Sequence, residues 1–306
     1  MLEGNQQIIY NNKLVAIIIL NYNRKNDILE CLDSIFNLDY SEFEVIVVDN
    51  GSTDGSVEEI KNKYPGVHLI ESKINLGVAG GRNLGVRYAN EKFNYKFLLF
   101  LDDDIVIDKN ALSEMVNSFN MNGNIGIVTP KCYLTNFPGV IGYAGGMSVN
   151  LWIGKMTNIG NGEKDQGQFD ESKFISSCGG LCLISSELID NVGIFDEMFN
   201  PYGWEDVDLS LRARQKGFKI FYNHKAVVYH KGGKKGRGKA IDEYEFSKSK
   251  NYFYLIKKHA TIFQLVTIIA TLPFRIFIII YKELIDGDFK IISAQLKGIL
   301  SLFKIK

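Results

Sequence analysis

The sequence has few of the residues that mark disulfide-rich, zinc-knuckle or nucleic-acid-binding proteins. Its 306 residues include only 5 Pro, 4 Cys and 4 His, and the 35 basic and 35 acidic residues cancel at pH 7. A balanced charge creates no overall field that attracts nucleic acid, so we expect no nucleic-acid partner. The low Pro content and the 46% hydrophobic residues are typical of a folded protein rather than a low-complexity one.

The cysteines do not form a recognisable metal or redox motif. Cys31, Cys132, Cys178 and Cys182 have neither zinc-knuckle spacing nor a Cys-x-x-Cys pair. We expect reduced, buried thiols that pack as small hydrophobic groups, which favours a cytosolic catalytic domain. Residues 1–13 are polar, and we expect no export signal there.

Short apolar segments alternate with helical patterns along the first part of the chain. The predicted strands are Leu14–Leu20, Glu44–Val48, His68–Glu71, Phe97–Leu101 and Ile125–Val128. They lack the polar alternation of half-exposed strands, as is typical of parallel strands covered on both faces. Helices in the connections, one of them with a capping box at Ser56–Glu59, predict a doubly wound, mostly parallel α/β sheet. Residues 129–180 are Gly-rich, and we expect them to be irregular.

Polar residues follow four consecutive predicted strands. They occur at Asn21–Asn23, Asp49–Asp54, Asn75–Gly77 and Asp102–Asp104. Ligands of open parallel sheets bind beyond the carboxyl ends of the strands. Any one of these residues could instead be a helix cap, but four such groups in register favour a binding site.

The triple carboxylate Asp102–Asp104 points to a cation. Three adjacent acids repel one another strongly in a crevice of low dielectric constant. A bound Mg²⁺ or Mn²⁺ would remove that cost, because both prefer oxygen ligands. The alternative is a solvated turn that caps the next helix.

The glycine-rich segment Asn75–Gly85 is not a phosphate-binding motif of a common type. The sequence has no Walker A motif, and the segment follows the third predicted strand rather than the first. A glycine-rich helix start still offers free N–H groups to an anion or a sugar.

A second group of acids begins a predicted helix at Glu205–Gln215. The positive end of that helix favours the ionised forms of Glu205 and Asp206, and Asp208 and Arg212 have the spacing of a structural pair. Acids in a first helical turn are common, so the pattern alone leaves a structural role open.

His230 precedes a basic, glycine-rich segment. Residues 231–239 contain five positive charges among four glycines. His230 could bind a metal or a diphosphate there, or it could be an ordinary surface or core histidine.

Taken in order, these motifs resemble glycosyltransferase family 2. The resemblance covers about residues 14–235, through Val15–Asn23, Val47–Ser56, Asn75–Gly85, the triple Asp and Trp204–Asp206. It implies an A-type fold and an inverting transfer, and it is nearest to the rhamnosyltransferase-like branch. That branch often has Asn-Pro-Asp in place of the triple Asp, so the donor sugar stays open.

The resemblance also implies a role for each motif residue. Asp49, Asn21 and Asn23 would lie near the base and ribose of the donor. Asp104 and His230 would hold Mn²⁺ or Mg²⁺. Asp206 would be the general base. The predicted donor-binding residues are Asn21, Asn23, Asp49, Asn75, Gly77, Arg82, Asp102 and Asp103. The predicted acceptor-binding residues are Trp204 and Glu205.

The implied partners are a UDP- or dTDP-linked sugar and a glycan or lipid-linked acceptor. An inverting transfer needs one base for the acceptor hydroxyl and a means of neutralising the leaving diphosphate. Asp206 would supply the first, and Asp104 with the basic segment would supply the second. A sugar-phosphate nucleotidyltransferase and a non-catalytic sugar-binding protein of the same fold are the alternatives.

The sequence suggests a division into four parts, of which the last is apolar. We expect an extension at 1–13, a nucleotide-sugar-binding catalytic domain at 14–230, a basic lid at 231–250 and an amphipathic helical region at 251–306. Ile262–Tyr281 has the length of a membrane span, but Pro273 and Arg275 interrupt it. A central Arg is costly in lipid, so we expect helices lying on the cytoplasmic face of the cell membrane. The alternative is a helical hairpin buried against the domain.

Overall fold

The computed structural model describes residues 14–121, 123–232, 241–286 and 298. The predicted extension at 1–13 and residues 233–240 of the predicted lid lie outside this part of the chain. The second half of the predicted lid, residues 241–250, belongs to a long helix.

The elements alternate as the sequence predicts over the first half of the chain. The helices are α1 (Lys25–Phe36), α2 (Ser56–Lys63), α3 (Gly77–Lys92), α4 (Ala111–Ser118), α5 (Ser186–Val192), α6 (Glu205–Gln215), α7 (Ile241–His259) and α8 (Ile262–Asp286). The first strands are β1 (Val15–Asn21), β2 (Phe43–Asp49), β3 (His68–Glu71), β4 (Phe97–Asp102), β5 (Ile105–Ile107) and β6 (Ile125–Leu134). The later strands are β7 (Ile141–Ala144), β8 (Gly146–Asn150), β9 (Lys155–Asn158), β10 (Lys173–Ile175), β11 (Ser177–Cys178), β12 (Cys182–Ser185) and β13 (Lys219–His230).

The main sheet is mixed but mostly parallel. Its strand order is β10-β13-β6-β12-β4-β1-β2-β3, with β5 paired to β13 and β7 paired to β6. β1 pairs in parallel with β2 and β4, and β13 pairs in parallel with β6. β12 is antiparallel to both β4 and β6. All five strands predicted from the sequence therefore run in one direction, and β12 separates the fifth from the others.

Helices cover both faces of the sheet. In β1, Val15, Ile17 and Ile19 belong to the core that α1, α2 and α4 cover, while Ala16 and Ile18 belong to the core beneath α3, α5 and α6. Burial on both faces explains why the strands are apolar without alternation. The doubly wound α/β prediction is confirmed.

The glycines of α3 let this helix lie close to β1. A Cβ at Gly85 would lie 2.6 Å from Cγ2 of Ile18, and one at Gly81 would collide with Leu20. Two of the four glycines in this segment are therefore explained by helix–strand packing rather than by ligand contact.

Residues 129–180 are more regular than predicted. β6 continues to Leu134, and β8 forms a separate three-stranded sheet with β9 and β11. The capping box expected at Ser56 is also wrong, since the Asp54 carboxylate accepts the Ser56 N–H at 3.1 Å and α2 begins at Ser56. The four cysteines are free and buried, as expected.

The end of α7 is bonded to α6. Nε2 of His259 lies 2.7 Å from the fully buried Asp208 carboxylate, and Nζ of Lys258 lies 2.8 Å from it. The sequence suggests only Arg212 as the partner of Asp208, and that pair is present with Nε–Oδ2 of 2.8 Å. Within the described part of the chain, no helix is both long and apolar enough to cross a membrane.

Candidate active site

The carboxyl ends of β1 and β2 are joined by a buried polar network. Nδ2 of Asn21 donates to Asp49 at 2.7 Å and to Ser52 at 3.2 Å. The other Asp49 oxygen accepts the N–H groups of Gly51 and Ser52 at 3.1 and 2.8 Å. Asp49 is almost fully buried, and its hydrogen bonds hold the loop after β2. Oδ1 of Asn21 is also buried, but it has no hydrogen-bond partner among the described residues.

Asn23 and the Asn75–Gly77 turn extend this network. Oδ1 of Asn23 accepts the Thr53 N–H at 2.7 Å. Oδ1 of Asn75 accepts the Gly77 N–H at 2.8 Å. Gly77 has a φ of +74°, and a Cβ there would lie 2.8 Å from Cγ of Asn200. The structure therefore gives Gly77 a packing role at the start of α3.

The three aspartates after β4 lie in different surroundings. The Asp102 side chain is 42% exposed, whereas those of Asp103 and Asp104 are 9% and 7% exposed. Arg24 forms ion pairs with Asp103 and Asp104, and Nε2 of His230 lies 3.3 Å from Oδ1 of Asp104. Only Asp102 is open to solvent, and Arg24 lies against both of the other two.

These contacts shift the pKa values of the aspartates in opposite directions. Burial raises the pKa of Asp103 to about 7, although Arg24 and the Tyr22 N–H oppose this effect. Burial would also raise the pKa of Asp104, but the hydrogen bond and charge of His230, followed by Arg24, lower it below the ordinary value. Asp104 is therefore the stronger candidate for an anionic ligand at neutral pH.

Arg82 connects this turn to the start of α6. Its side chain is 2% exposed, with Nη2 2.8 Å from Oδ1 of Asp102 and Nη1 3.6 Å from Oε1 of Glu205. Its Nε and Nη1 atoms have no hydrogen-bond partner within the described chain. A buried guanidinium thus bridges the two acidic motifs that the sequence singles out.

Glu205 and Asp206 begin α6, but their surroundings differ. Glu205 accepts the Gly203 N–H at 2.8 Å and lies near Arg82, whereas Asp206 accepts the Val207 N–H at 2.8 Å. Burial raises the pKa of both acids, and the neighbouring Glu205 charge contributes to the value of about 7 for Asp206. Burial therefore outweighs the helix dipole, which by itself would favour the ionised form of Asp206.

Helix α7 holds the loop that leads into α6. Asn251 is fully buried, and its Nδ2 donates to the carbonyls of Phe199, Tyr202 and Gly203, the last two at 3.0 and 3.4 Å. Nε1 of Trp204 donates to the Lys248 carbonyl at 2.8 Å. These bonds support Trp204 in a left-handed conformation with a φ of +77°, a conformation that costs a non-glycine residue energy.

The structure brings together most of the residues that the sequence predicts. One group joins Asp102, Arg82 and Glu205, and another joins Asp104 and His230. Arg24 and Asn251 were missed as site residues, because their partners lie 80 and about 50 residues away along the chain. The only signal for Arg24 is a cation following Asn23 at the end of the first strand.

The donor atoms partly fit a divalent cation. Among the described residues, no group of three or more His, Cys, Asp or Glu side chains could hold a metal ion. Asp104 and His230 nevertheless place two donor atoms 3.3 Å apart. Mg²⁺ in nucleotide sites is commonly bound by one or two protein carboxylates, with phosphates and water completing its coordination.

The chain is similar in sequence to two proteins that have names of their own. The chain is 25% identical to the poly-beta-1,6-N-acetyl-D-glucosamine synthase of Staphylococcus epidermidis over 70% of this chain and 49% of that protein. It is 26% identical to the low-salt glycan biosynthesis hexosyltransferase Agl10 of Haloferax volcanii over 67% of this chain and 63% of that protein. The chain thus spans about half of the first relative's length.

Two solved structures share the fold. GalNAc-T7 with UDP, GalNAc and Mn²⁺ aligns with a TM-score of 0.64 at 16% identity, covering 81% of this chain and 48% of that chain. S. aureus TarS 1–349 aligns with a TM-score of 0.54 at 19% identity, covering 83% of this chain and 70% of that chain. The glycosyltransferase A-type fold expected from the sequence is confirmed.

The family assignment depends on the first two thirds of the chain. The family described as "Glycosyl transferase family 2" matches residues 16–192, which include every predicted site residue from Asn21 to Asp104. The chain belongs to glycosyl transferase family 2.

Proposed function

We propose that this protein is an inverting glycosyltransferase that moves a sugar from a UDP- or dTDP-linked donor to an acceptor hydroxyl. The observation that carries the proposal is the Arg82 bridge. It places the Asp102–Asp104 turn next to the Glu205–Asp206 pair. Carboxylates that could hold a nucleotide diphosphate through a metal ion and a carboxylate suited to a general base thus lie on either side of one guanidinium.

The donor would bind across the carboxyl ends of β1, β2 and β4. Oδ1 of Asn21 is buried and lacks a hydrogen-bond partner among the described residues, so it can accept a bond from the base or ribose. Asp102 is the exposed member of the triple Asp and can bind the ribose. Trp204 and Glu205 would face the acceptor.

Asp206 would act as the base. Its carboxylate would take the proton of the acceptor hydroxyl while the acceptor oxygen bonds to the anomeric carbon. The bond from that carbon to the diphosphate oxygen breaks, and the electron pair leaves with the nucleoside diphosphate. A pKa of about 7 suits a base that works near neutral pH.

A divalent cation, Mn²⁺ or Mg²⁺, would be held by Asp104 and His230. When bound, it would neutralise negative charge on the leaving diphosphate. Arg24 would have to release Asp104 as the metal enters, because it already forms an ion pair with that carboxylate.

The names of the relatives support a place in glycan assembly. One is a polysaccharide synthase and one is a glycan biosynthesis hexosyltransferase, so we propose a cell-surface polysaccharide or a lipid-linked glycan as the acceptor. The cytoplasmic face of the membrane is the corresponding location.

The test combines donor binding with turnover. We expect one nucleotide sugar of a UDP-, dTDP- and GDP-linked panel to raise the melting temperature with Mn²⁺ and to release nucleoside diphosphate. Asp206→Asn should keep donor binding while turnover falls by roughly 10²- to 10⁴-fold, whereas Asp190→Asn on the exposed side of α5 should behave as wild type. Full turnover in Asp206→Asn would exclude Asp206 as the base. Binding without any turnover in the wild type would favour a non-catalytic sugar-binding protein.

A further inference from the structure

Asn50 follows Asp49 at the end of β2, and its side chain bonds the turn that leads into α3. The residue is 2% exposed. Its Nδ2 donates to Oδ1 of Asn75 and to the Gly77 carbonyl, each at 3.1 Å, and its Oδ1 accepts the Leu76 N–H at 3.1 Å. Asn50 and Asn75 are 25 residues apart in the chain, so these bonds join two separate loops.

The bonds of Asn50 leave its side chain little to offer a ligand. Both amide hydrogens are used within the protein, and a nucleotide could take one only by breaking an existing bond. Oδ1 of Asn21 differs, because it is buried and lacks a partner among the described residues. Asn21 can thus accept a bond from a ligand, whereas the geometry of Asn50 suits a residue that holds the protein itself.

The start of α3 is bonded in turn to the loop that leads into α6. The Val78 N–H donates to the Pro201 carbonyl at 2.7 Å, and the Gly80 N–H donates to Oδ1 of Asn200 at 3.4 Å. A Cβ on Gly77 would lie 3.0 Å from Cα of Pro201, so the two backbones are in direct contact. Two N–H groups that a helix start could offer to an anion are therefore used to hold this loop.

The same loop carries the acids at the start of α6. Only three residues separate Pro201 from Glu205, and the Gly203 N–H donates to Oε2 of Glu205 at 2.8 Å. Asp206 follows directly in α6. Closely packed segments cannot shift independently of one another, so the place of these acids depends on where the start of α3 lies.

We infer that Asn50 is a positioning residue that sets where Glu205 and Asp206 lie relative to the donor network at the ends of β1 and β2. Its backbone N–H donates to the Asn21 carbonyl at 2.9 Å, and its side chain holds the start of α3 on the other side. The inference rests on the proposed function for the role of Asp206 as the base, whereas the bonds of Asn50 do not depend on that role. A catalytic group misplaced by about 1 Å can slow turnover by roughly 10²-fold, so a residue remote from the reacting atoms can change kcat.

Hydrogen exchange on the full-length protein, without any nucleotide sugar, tests the contacts themselves. Asn50→Ala removes all three side-chain bonds to the turn before α3. We expect the N–H groups in segments 77–81 and 200–206 to exchange roughly tenfold faster, because lost hydrogen bonds lower the cost of local opening.

Asn223→Ala is the matched control, because Asn223 is 7% exposed and its side chain also makes three bonds. Nδ2 donates to the Glu114 carbonyl and the Ser118 hydroxyl, each at 3.0 Å, and Oδ1 accepts the Lys225 N–H at 2.9 Å. This variant should lower the melting temperature to a similar extent and leave exchange in both segments as in the wild type. If either alanine variant does not fold, Asn50→Asp and Asn223→Asp replace the pair, since they keep the shape of the side chain and its acceptor atom.

Turnover separates positioning from stability. We expect kcat of Asn50→Ala to fall by roughly 10- to 100-fold and the Kd for the nucleoside diphosphate to rise by a smaller factor, while kcat of Asn223→Ala stays near wild type. Asn200→Ala removes the acceptor of the Gly80 N–H on the far side of the same contact. The double variant Asn50→Ala, Asn200→Ala should therefore be little slower than Asn50→Ala, because both changes disrupt one contact.

Three results would overturn the inference. The first is unchanged exchange in segment 200–206 of Asn50→Ala, whether or not the protein turns over a donor. The second is a loss of kcat no larger than that of Asn223→Ala, which would make Asn50 a structural residue only. The third is a Kd that rises by more than kcat falls, which would make Asn50 a ligand of the donor. A wild type without turnover on any donor would refute the proposed function instead, and the exchange experiment would still decide whether Asn50 positions the loop.

Discussion

Nη2 of Arg82 donates a hydrogen bond of 2.8 Å to Oδ1 of Asp102, from a position where the guanidinium is almost fully buried. The other terminal nitrogen lies 3.6 Å from the Glu205 carboxylate. Arg82 thus holds one carboxylate from the turn after β4 and one from the start of α6. The two carboxylates offset part of the cost of burying this charge as long as both acids stay ionised.

Removing the Arg82 charge should therefore destabilise the fold. We expect Arg82→Gln to lower the free energy of unfolding by about 3–5 kcal/mol, because it leaves Glu205 as a buried, unpaired acid. Arg87→Gln is a matched control on the same helix, since its pair with Glu197 is about half exposed and should contribute at most about 1 kcal/mol. Urea denaturation measures both, and equal losses would contradict the bridging role.

The pH profile of transfer should report the pair Glu205 and Asp206. A general base works only when deprotonated, so kcat/KM should be lost as the pH falls through about 7, the raised pKa of Asp206. Glu205→Gln removes the neighbouring negative charge that helps to raise this pKa, and it should move the acidic limb of the profile to lower pH. An unchanged limb in Glu205→Gln would mean that Asp206 is not the group that titrates.

Asn251 should act as a positioning residue. Asn251→Ala removes the bonds to the loop at 199–203, and an unpaired buried carbonyl costs roughly 1–3 kcal/mol. We expect kcat to fall by a larger factor than the Kd for the donor rises, because the loop leads directly into Glu205 and meets the donor network only through its contacts with the start of α3. The control is Asn191→Ala on α5, whose Nδ2 bonds only to the Glu187 carbonyl in its own helix. A loss of stability with unchanged kcat would reduce Asn251 to a structural role.

Arg24 should compete with a metal ion for Asp104. Arg24→Gln removes the cation that neutralises Asp103 and Asp104, so we expect tighter Mn²⁺ binding in the absence of donor, measured by calorimetry. Asp104→Ala should abolish this binding, and the fold should survive because the carboxylate follows β4 in a turn. Equal Mn²⁺ affinity in wild type, Arg24→Gln and Asp104→Ala would place the metal elsewhere.

The alternation of apolar strands and amphipathic helices by itself determined the fold class, and it predicts the sheet edge at which the candidate site lies. The strands β1 and β4 are readable because burial on both faces leaves them apolar up to their last residue, and the second half of β2 has the same character. Polar residues such as Asp49 and Asp102 then mark where each strand ends. Every one of these signals is local, extending over a few consecutive residues.

Tertiary structure alone decided which side chains meet. The antiparallel insertion of β12, the small sheet of β8, β9 and β11, and the bonds from Asn251 and Arg24 depend on residues far apart in the chain. The same reason explains why the pKa of Asp206 is raised rather than lowered. The sequence shows a helix start, which favours the anion, whereas burial of the carboxyl group comes from residues that pack around it in space. Packing decided these features because desolvation and ion pairing depend on distance in space, and sequence spacing does not encode that distance.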